Sequence, residues 1–263
     1  MSQQTTALQP YDTVADAYDR MGELVTGSWG EKHHHEKAAF LAALWEGGDV
    51  PVDTVLELAC GTGLMLRELA DLGYEVTGLD RSPAMLERAR ARLGAEVPLV
   101  CAALPEVPVE RCFDAVISAG ESLNYLTGAE LATTFQAVAA VLRPGGSFVF
   151  DVRAAGVMTD QAGPATLACD LGDVAFIMAY SNSPEGDRCD VTWTQFVRTG
   201  PEPTDPYART VEHHRLYPLT QEVIREAARG TGLVEQGVYD NYALTPADGS
   251  TLTQTWTFRR ADA

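Results

Sequence analysis

Over about the first 150 residues, short apolar runs alternate with stretches in which apolar side chains recur every three or four positions. Val52 to Leu58 has strand length, and Leu64 to Leu72 has helical spacing that stops at Gly73, a residue that accepts a left-handed helix end. Tyr74 to Leu79 reads as a second strand. Ser82 and Pro83 offer an N-cap and a first-turn proline for a helix through Leu93, which Gly94 stops. Val97 to Ala102 and Phe113 to Ser118 are two more strands. A helix with Thr127 or Gly128 near its cap runs to about Leu142, and Arg143-Pro144-Gly145-Gly146 forms a turn into the strand Ser147 to Val152. This alternation predicts an α/β protein with a parallel sheet and helices on both faces.

After Arg153 the period shortens to two. Cys189 to Arg198 reads with period two, and segments near Leu167 to Tyr180 and Thr210 to Tyr217 also read as strands, so an antiparallel β insertion is expected over about 160–218. Within it, the set Val191, Trp193 and Gln195 and the set Thr192, Thr194 and Phe196 do not separate into an apolar and a polar face. The chain then returns to a helix (Thr220 to Arg229, ended by Gly230) and to strands at Leu233 to Tyr239 and Thr251 to Phe258. Tyr11 to Leu44 reads as helices ahead of the sheet. With no Ser/Gly-rich linker or charge run between the halves, 1–263 is expected to be a single domain, with 52–153 as its core and 219–263 completing the sheet.

Composition narrows the partners. The 263 residues are 46% hydrophobic and carry a formal net charge of −18, which repels phosphate backbones and anionic bilayers and argues against nucleic acid or a membrane as partner. No apolar run approaches the roughly 18 to 20 residues of a membrane span, and Met1 to Pro10 lacks a basic-then-apolar leader, so a cytoplasmic protein is expected. Five cysteines without a C-x-x-C spacing fit reduced thiols better than disulfides or a structural metal.

The chemistry begins at Glu57-Leu58-Ala59-Cys60-Gly61-Thr62-Gly63, between the first strand and its helix. Glycines there let the backbone pass close to a ligand, and the next helix offers unpaired N–H groups. Asp80 ends the second strand, where a carboxylate can accept both hydroxyls of a ribose, and ligands of open α/β sheets bind at these strand ends. Leu66 stands where a G-x-G-x-x-G fingerprint needs its third glycine, and no Tyr-x-x-x-Lys pair is evident, which disfavours a dinucleotide-dependent oxidoreductase.

With Glu57-x-x-x-Gly61-x-Gly63, Asp80, Phe113-Asp114-Ala115-Val116 and Leu142-Arg143-Pro144-Gly145-Gly146 in order, the chain resembles the class I S-adenosylmethionine-dependent methyltransferases, small-molecule type, including amino-sugar N-methyltransferases. The resemblance implies a Rossmann-like seven-stranded sheet whose last strand, Thr251 to Phe258, is antiparallel. It implies that Glu57 and the backbone at Ala59, Gly61 and Gly63 receive the amino-acid part of S-adenosylmethionine. Asp80 would hold the ribose, Arg81, Met85 and Leu104 would flank the adenine, and Ser118 would lie near the amino-acid end. S-adenosylhomocysteine is the implied product. Ala103 stands where the family often has an acidic adenine contact. Residues 1–48 resemble the family's leading segment, a helical lid, with Tyr18 near the sulfonium; two aromatics at helical spacing also suit a core stripe.

The loop Gly120 to Leu126 is where such enzymes face their acceptor, making Asn124 and Tyr125 substrate contacts. Tyr125 stands where the amino-sugar enzymes carry a catalytic histidine, and a phenol is a poor base at neutral pH, so it is expected to orient the acceptor. His213 and His214 are the candidate general bases, with His33, His34 and His35 as alternatives; neither run has chelating geometry, and no metal is expected. Trp193 and His214 of the insertion complete the expected substrate set, although that sheet suits a homodimer contact equally well. The expected reaction is methyl transfer to nitrogen or oxygen of a small-molecule acceptor. A peptide α-amino group, or cofactor binding without methylation, are the alternatives.

Overall fold

The computed structural model describes residues 11, 13–15, 17–25, 31–48, 50–159 and 165–262. The expectations placed on 1–10 and on the start of the insertion at 160–164 lie outside the described residues. Two helices, α1 (Tyr18–Val25) and α2 (Glu31–Glu46), precede β1 (Thr54–Leu58), α3 (Leu64–Asp71), β2 (Glu75–Asp80), α4 (Pro83–Leu93), β3 (Leu99–Cys101) and β4 (Phe113–Ser118). A 3-10 turn at Ser122–Tyr125 leads to α5 (Gly128–Val141), β5 (Leu142–Arg153) and a short α6 (Ala155–Thr159). Then follow β6 (Ala165–Asp170), β7 (Val174–Asn182), β8 (Cys189–Arg198), β9 (Tyr207–Leu216), α7 (Gln221–Ala228), β10 (Leu233–Asp240) and β11 (Thr253–Arg260).

Seven strands form one sheet in the order β10-β11-β5-β4-β1-β2-β3. β11 runs antiparallel to both of its neighbours, while β5, β4, β1, β2 and β3 pair in parallel. Every residue of β1 and β4 is buried, because helices cover both faces of a parallel sheet. On one face α5 and α7 enclose Phe135, Phe148, Phe150, Trp256 and Phe258; on the other, Leu41, Trp45, Met65 and Leu69 of α2 and α3 cover Val55 and Val149.

Local chemistry sets the helix starts. The Ser82 hydroxyl accepts the Met85 N–H with Pro83 at the first position. Thr127 and Glu130 form a reciprocal capping box at α5. Thr127→Ala is expected to lower the unfolding free energy by about 1 kcal/mol, read as a lower urea midpoint with unchanged slope.

Two boundaries differ from the sequence pattern. β5 begins at Leu142 rather than Ser147: Phe113 pairs with Leu142 and Ala115 with Ser147, so the expected turn Arg143–Gly146 is a bulge inside the strand. The Asp114 carboxylate holds it by accepting from Arg143 at 2.5 Å while also accepting the Thr54 N–H and hydroxyl. The apolar stretch Leu167 to Tyr180 is a hairpin, β6 and β7, turned at Gly172, whose N–H is taken by Asp170.

β6 to β9 make a separate four-stranded antiparallel sheet. Its inner face buries Val174, Phe176, Met178, Val191 and Trp193 against Val14, Ala15, Ala17 and Met21 of the N-terminal segment. Gln195, Glu212 and His214 share this inner face as buried polar residues, which is why the alternation had no clean apolar side. Among the described residues no helix is long and apolar enough to cross a membrane.

Candidate active site

Above the carboxyl ends of β1 and β2 lies a cavity whose walls include Ala59, Gly61, Asp80, Arg81, Met85 and Leu104, with Tyr11, Tyr18 and Tyr125 closing it. The turn leaving β1 runs through left-handed backbone at Ala59 (φ 54), Gly61 (φ 52) and Gly63 (φ 78). A Cβ on Gly61 would meet nothing within 4 Å, so this glycine faces open space. Gly63 serves packing instead: its Cβ would sit 3.0 Å from Leu93 and 3.1 Å from Ala89, so α3 approaches α4 this closely only with glycine there.

Asp80 accepts the Gly61 N–H at 2.8 Å through one oxygen and the Ser82 N–H at 2.8 Å through the other. Each oxygen keeps a further lone pair. Burial pushes the Asp80 carboxyl up, opposed by these backbone bonds. Glu57 and Ser118 lie behind the cavity rather than on its wall. Both are buried, and Glu57 Oε2 and Ser118 Oγ have no hydrogen-bond partner among the described residues. Burial, reinforced by the nearby Asp80 charge, raises the Glu57 carboxyl well above its ordinary range. The open glycine, the Asp80 lone pairs and the orphaned Glu57 oxygen fit a nucleoside bearing an amino-acid tail. Ala103 lines the cavity as an apolar residue, and Ser122 and Glu130 are polar neighbours in the same lining.

A second, smaller cavity shares Tyr11, Tyr18 and Tyr125 with the first. Its other walls include Met158, Met178, Tyr180, Trp193, His214, Glu121 and Arg153. The Tyr11 ring meets His214 at 5.1 Å, Tyr18 at 5.6 Å, Tyr125 at 5.9 Å and Trp193 at 6.4 Å between centroids. The buried Trp193 Nε1–H has no acceptor among the described residues. Glu121, in left-handed backbone at φ 58, takes Arg153 Nε at 3.0 Å and the Thr253 hydroxyl at 2.7 Å.

The expected histidines part company. His214 is buried at this wall, with Nδ1 2.9 Å from the Tyr125 hydroxyl and Nε2 3.3 Å from Glu212 Oε2. His213, one residue earlier on a strand, points to the opposite, exposed face and touches Thr192, so it does not reach the cavity. His35 pairs with Glu68 and His33 lies 3.9 Å from Glu36, both on α2 and outside the cavity walls. Asn124 lines the cavity but its amide is engaged: Nδ2 donates to the Tyr217 carbonyl at 3.0 Å and Oδ1 accepts the Arg153 N–H at 2.9 Å. It braces the loop. Burial raises the Tyr11, Tyr18 and Tyr125 phenols, so all three are neutral.

The sequence pattern missed several residues that the fold gathers here. Glu212 had a signal, since a carboxylate two positions before His214 shares its face on a strand. Asp151, an acid in the apolar strand Phe148 to Val152, had another. It accepts Lys37 Nζ at 2.7 Å, the Glu121 N–H at 2.6 Å and the Gly120 N–H at 3.2 Å. Tyr11 stood in the front motif without a partner to reveal its role.

A family model described as a methyltransferase domain matches residues 55–146, the segment that carries the glycine turn and Asp80. A putative methyltransferase of Bacillus subtilis is 35% identical over 136 residues, 50% of this chain and 55% of that one, so the chain spans about half of that relative. The dTDP-3-amino-3,6-dideoxy-alpha-D-glucopyranose N,N-dimethyltransferase of Streptomyces fradiae is 30% identical over 224 residues, 84% of this chain and 83% of that one. Among solved structures, an S-adenosylmethionine-dependent methyltransferase from Clostridium acetobutylicum superposes with a TM-score of 0.82 at 22% identity, over 94% of this chain and 98% of that one. An amino pentose methyltransferase from Micromonospora echinaspora does so with a TM-score of 0.70 at 21% identity, over 97% and 99%. The strand order, the turn with its two carboxylates and a relative aligned along most of both chains lead to one assignment: the chain belongs to the class I S-adenosylmethionine-dependent methyltransferases.

Proposed function

We propose that this enzyme methylates an amine nitrogen of a small molecule, with amino sugars the first class to test. The observation that carries the reading is the shared wall: three partly buried tyrosines separate a cavity suited to the cofactor from one suited to an acceptor. Asp80 would hold the ribose, Glu57 and the backbone at Ala59 and Gly61 the amino-acid tail, and Arg81, Met85 and Leu104 the base. Bound there, S-adenosylmethionine supplies an electrophilic methyl: the acceptor's lone pair forms the new bond as the C–S bond breaks, and that electron pair stays on sulfur in S-adenosylhomocysteine. The protein's share is to align the two ligands and exclude water, and orientation of this kind supplies on the order of 7–11 kcal/mol.

An amine is favoured over an alcohol because the second cavity presents the aromatic faces of Tyr11, Tyr18, Tyr125, Tyr180 and Trp193, which attract a cation. The substrate in the name of the Streptomyces relative is an amino sugar, which supports the same class. The five free cysteines favour a cytoplasmic setting.

Methyl-labelled S-adenosylmethionine incubated with amino sugars, their nucleotide-linked forms and phenols tests the reading. Label in the amine product is expected; label in phenols alone would replace nitrogen with oxygen as the acceptor atom, and no label would leave only cofactor binding. Separately, Asp80→Ala is expected to weaken S-adenosylhomocysteine binding by roughly 10- to 150-fold, the loss of charged hydrogen bonds worth about 1.5–3 kcal/mol. Calorimetry measures it, and an unchanged affinity removes Asp80 from the ribose.

A further inference from the structure

Glu212 makes more bonds than a strand carboxylate needs. Its Oε2 accepts the Tyr11 N–H at 2.6 Å, and its Oε1 accepts the Thr13 N–H at 2.7 Å and the Thr13 hydroxyl at 2.6 Å. The same Oε2 lies 3.3 Å from His214 Nε2, out of line for a hydrogen bond but within ion-pair reach of the ring. Beyond the imidazole, Nδ1 is 2.9 Å from the Tyr125 hydroxyl, and that hydroxyl is 2.7 Å from the Tyr11 hydroxyl. The carboxylate end sets the polarity of this row. A proton belongs on Nε2 beside Glu212, which makes Nδ1 an acceptor; Tyr125 then donates to Nδ1, and the Tyr125 oxygen accepts from Tyr11.

We propose that Tyr11, Tyr125 and His214 form a proton wire that takes the acceptor ammonium's proton to the imidazole, and that Glu212 is the counter-ion of the imidazolium so formed. The proposal rests on the amine reading above. An ammonium has no lone pair and cannot attack a methyl group. In the step inferred here its N–H bond breaks and leaves the electron pair on nitrogen, while a new O–H bond forms on Tyr11. The former Tyr11 proton passes to the Tyr125 oxygen, and the former Tyr125 proton to Nδ1. One positive charge moves from the acceptor to His214, and nothing is oxidised or reduced. Both phenols, which burial keeps protonated, are neutral before and after, so they conduct the proton without acting as the base.

Two further observations favour this arrangement over plain packing. Tyr11 lies in left-handed backbone at φ 75, a conformation that a bulky residue keeps only when its surroundings impose it, and the Glu212 carboxylate imposes it through the Tyr11 N–H. The wire therefore exists only while the N-terminal segment is docked on Glu212. The cavity also sets the charge around His214: Tyr18 from α1, Tyr180 from β7 and the Glu121–Arg153 pair share its walls, and among the described residues Glu212 is the full charge in contact with the ring.

The test uses the whole chain labelled with ¹⁵N-histidine and saturated with S-adenosylhomocysteine, with His214 assigned through His214→Gln. The expected spectrum has a proton on Nε2 and a hydrogen-bonded, unprotonated Nδ1. A proton on Nδ1 would overturn the wire. Turnover gives the second arm. Tyr125→Phe should lose about 100-fold in kcat on an amino sugar that is an ammonium at the assay pH, and under threefold on the matching O-alkyl hydroxylamine, which is already neutral. Equal losses on both would reduce Tyr125 to a positioning residue. If the wild type methylates neither, the amine reading fails while the spectrum still decides the wire.

Discussion

Lys37→Met is expected to lower the unfolding free energy by about 3–5 kcal/mol, the cost of stranding a buried carboxylate. Lys37 and Asp151 side chains are 3% and 0% exposed and meet at 2.7 Å, and the ammonium also lies 4.7 Å from the centre of the Tyr242 ring. A buried pair of this kind adds little over an apolar pair of the same shape, but half of it is costly. Urea unfolding should therefore show Lys37→Met far below the wild type and Lys37→Met/Asp151→Leu recovering much of the loss. A single variant within 1 kcal/mol of the wild type would mean that water or rearrangement neutralises Asp151. The effect reaches the active site, because Asp151 also accepts the Gly120 and Glu121 N–H groups at the base of the acceptor loop.

Glu212→Ala should release the N-terminal segment. The carboxylate takes three hydrogen bonds from Tyr11 and Thr13, and bonds to a charged group are worth about 1.5–3 kcal/mol each, so a loss of about 3 kcal/mol or more is expected. Amide exchange at Thr13, Val14, Ala15 and Ala17 should quicken by more than 100-fold, while the α5 amides change little; unchanged exchange at Thr13 would show that the apolar contacts of Val14 and Met21 suffice. Acid should mimic the substitution. Burial raises the Glu212 carboxyl, but bonds from His214, Thr13 and Tyr11 outweigh it and leave the folded value below the ordinary one. A depressed value means that the stabilisation is complete above the unfolded carboxylate's pKa and is lost as pH falls through the folded one. The segment should thus stay docked through the ordinary carboxylate range and let go below it, a step absent from Glu212→Ala.

What the chain disclosed in advance was whatever depends on neighbours in sequence. The bounds of β8 match the period-two run from Cys189 to Arg198, and Ser82-Pro83 and Thr127 cap the helices their types suggested. The glycine turn and Asp80 were legible because that part of the first cavity's wall is built from two consecutive strand ends. The wall of the second cavity was not. His214, Tyr125, Glu212 and Tyr11 come from segments up to two hundred residues apart, and nothing in their own neighbourhoods says which will meet. His213 and His214 look identical in sequence; the strand's alternation places one at the cavity and the other in solvent. Asn124 shows the converse, a side chain that lines the second cavity while its amide bonds the backbone of β5 and of Tyr217, just after β9.

The placement of β11 between β5 and β10 carries a consequence for synthesis. β10 leaves the ribosome before β11 yet has no partner in the sheet until β11 arrives, and β11 itself pairs with a strand about a hundred residues upstream. The hairpins of the second sheet pair with their nearest neighbours in sequence and can form while translation continues. The large sheet must wait with β5 exposed along one edge, so this edge is where a nascent chain should be most prone to aggregate and where a chaperone has most to protect.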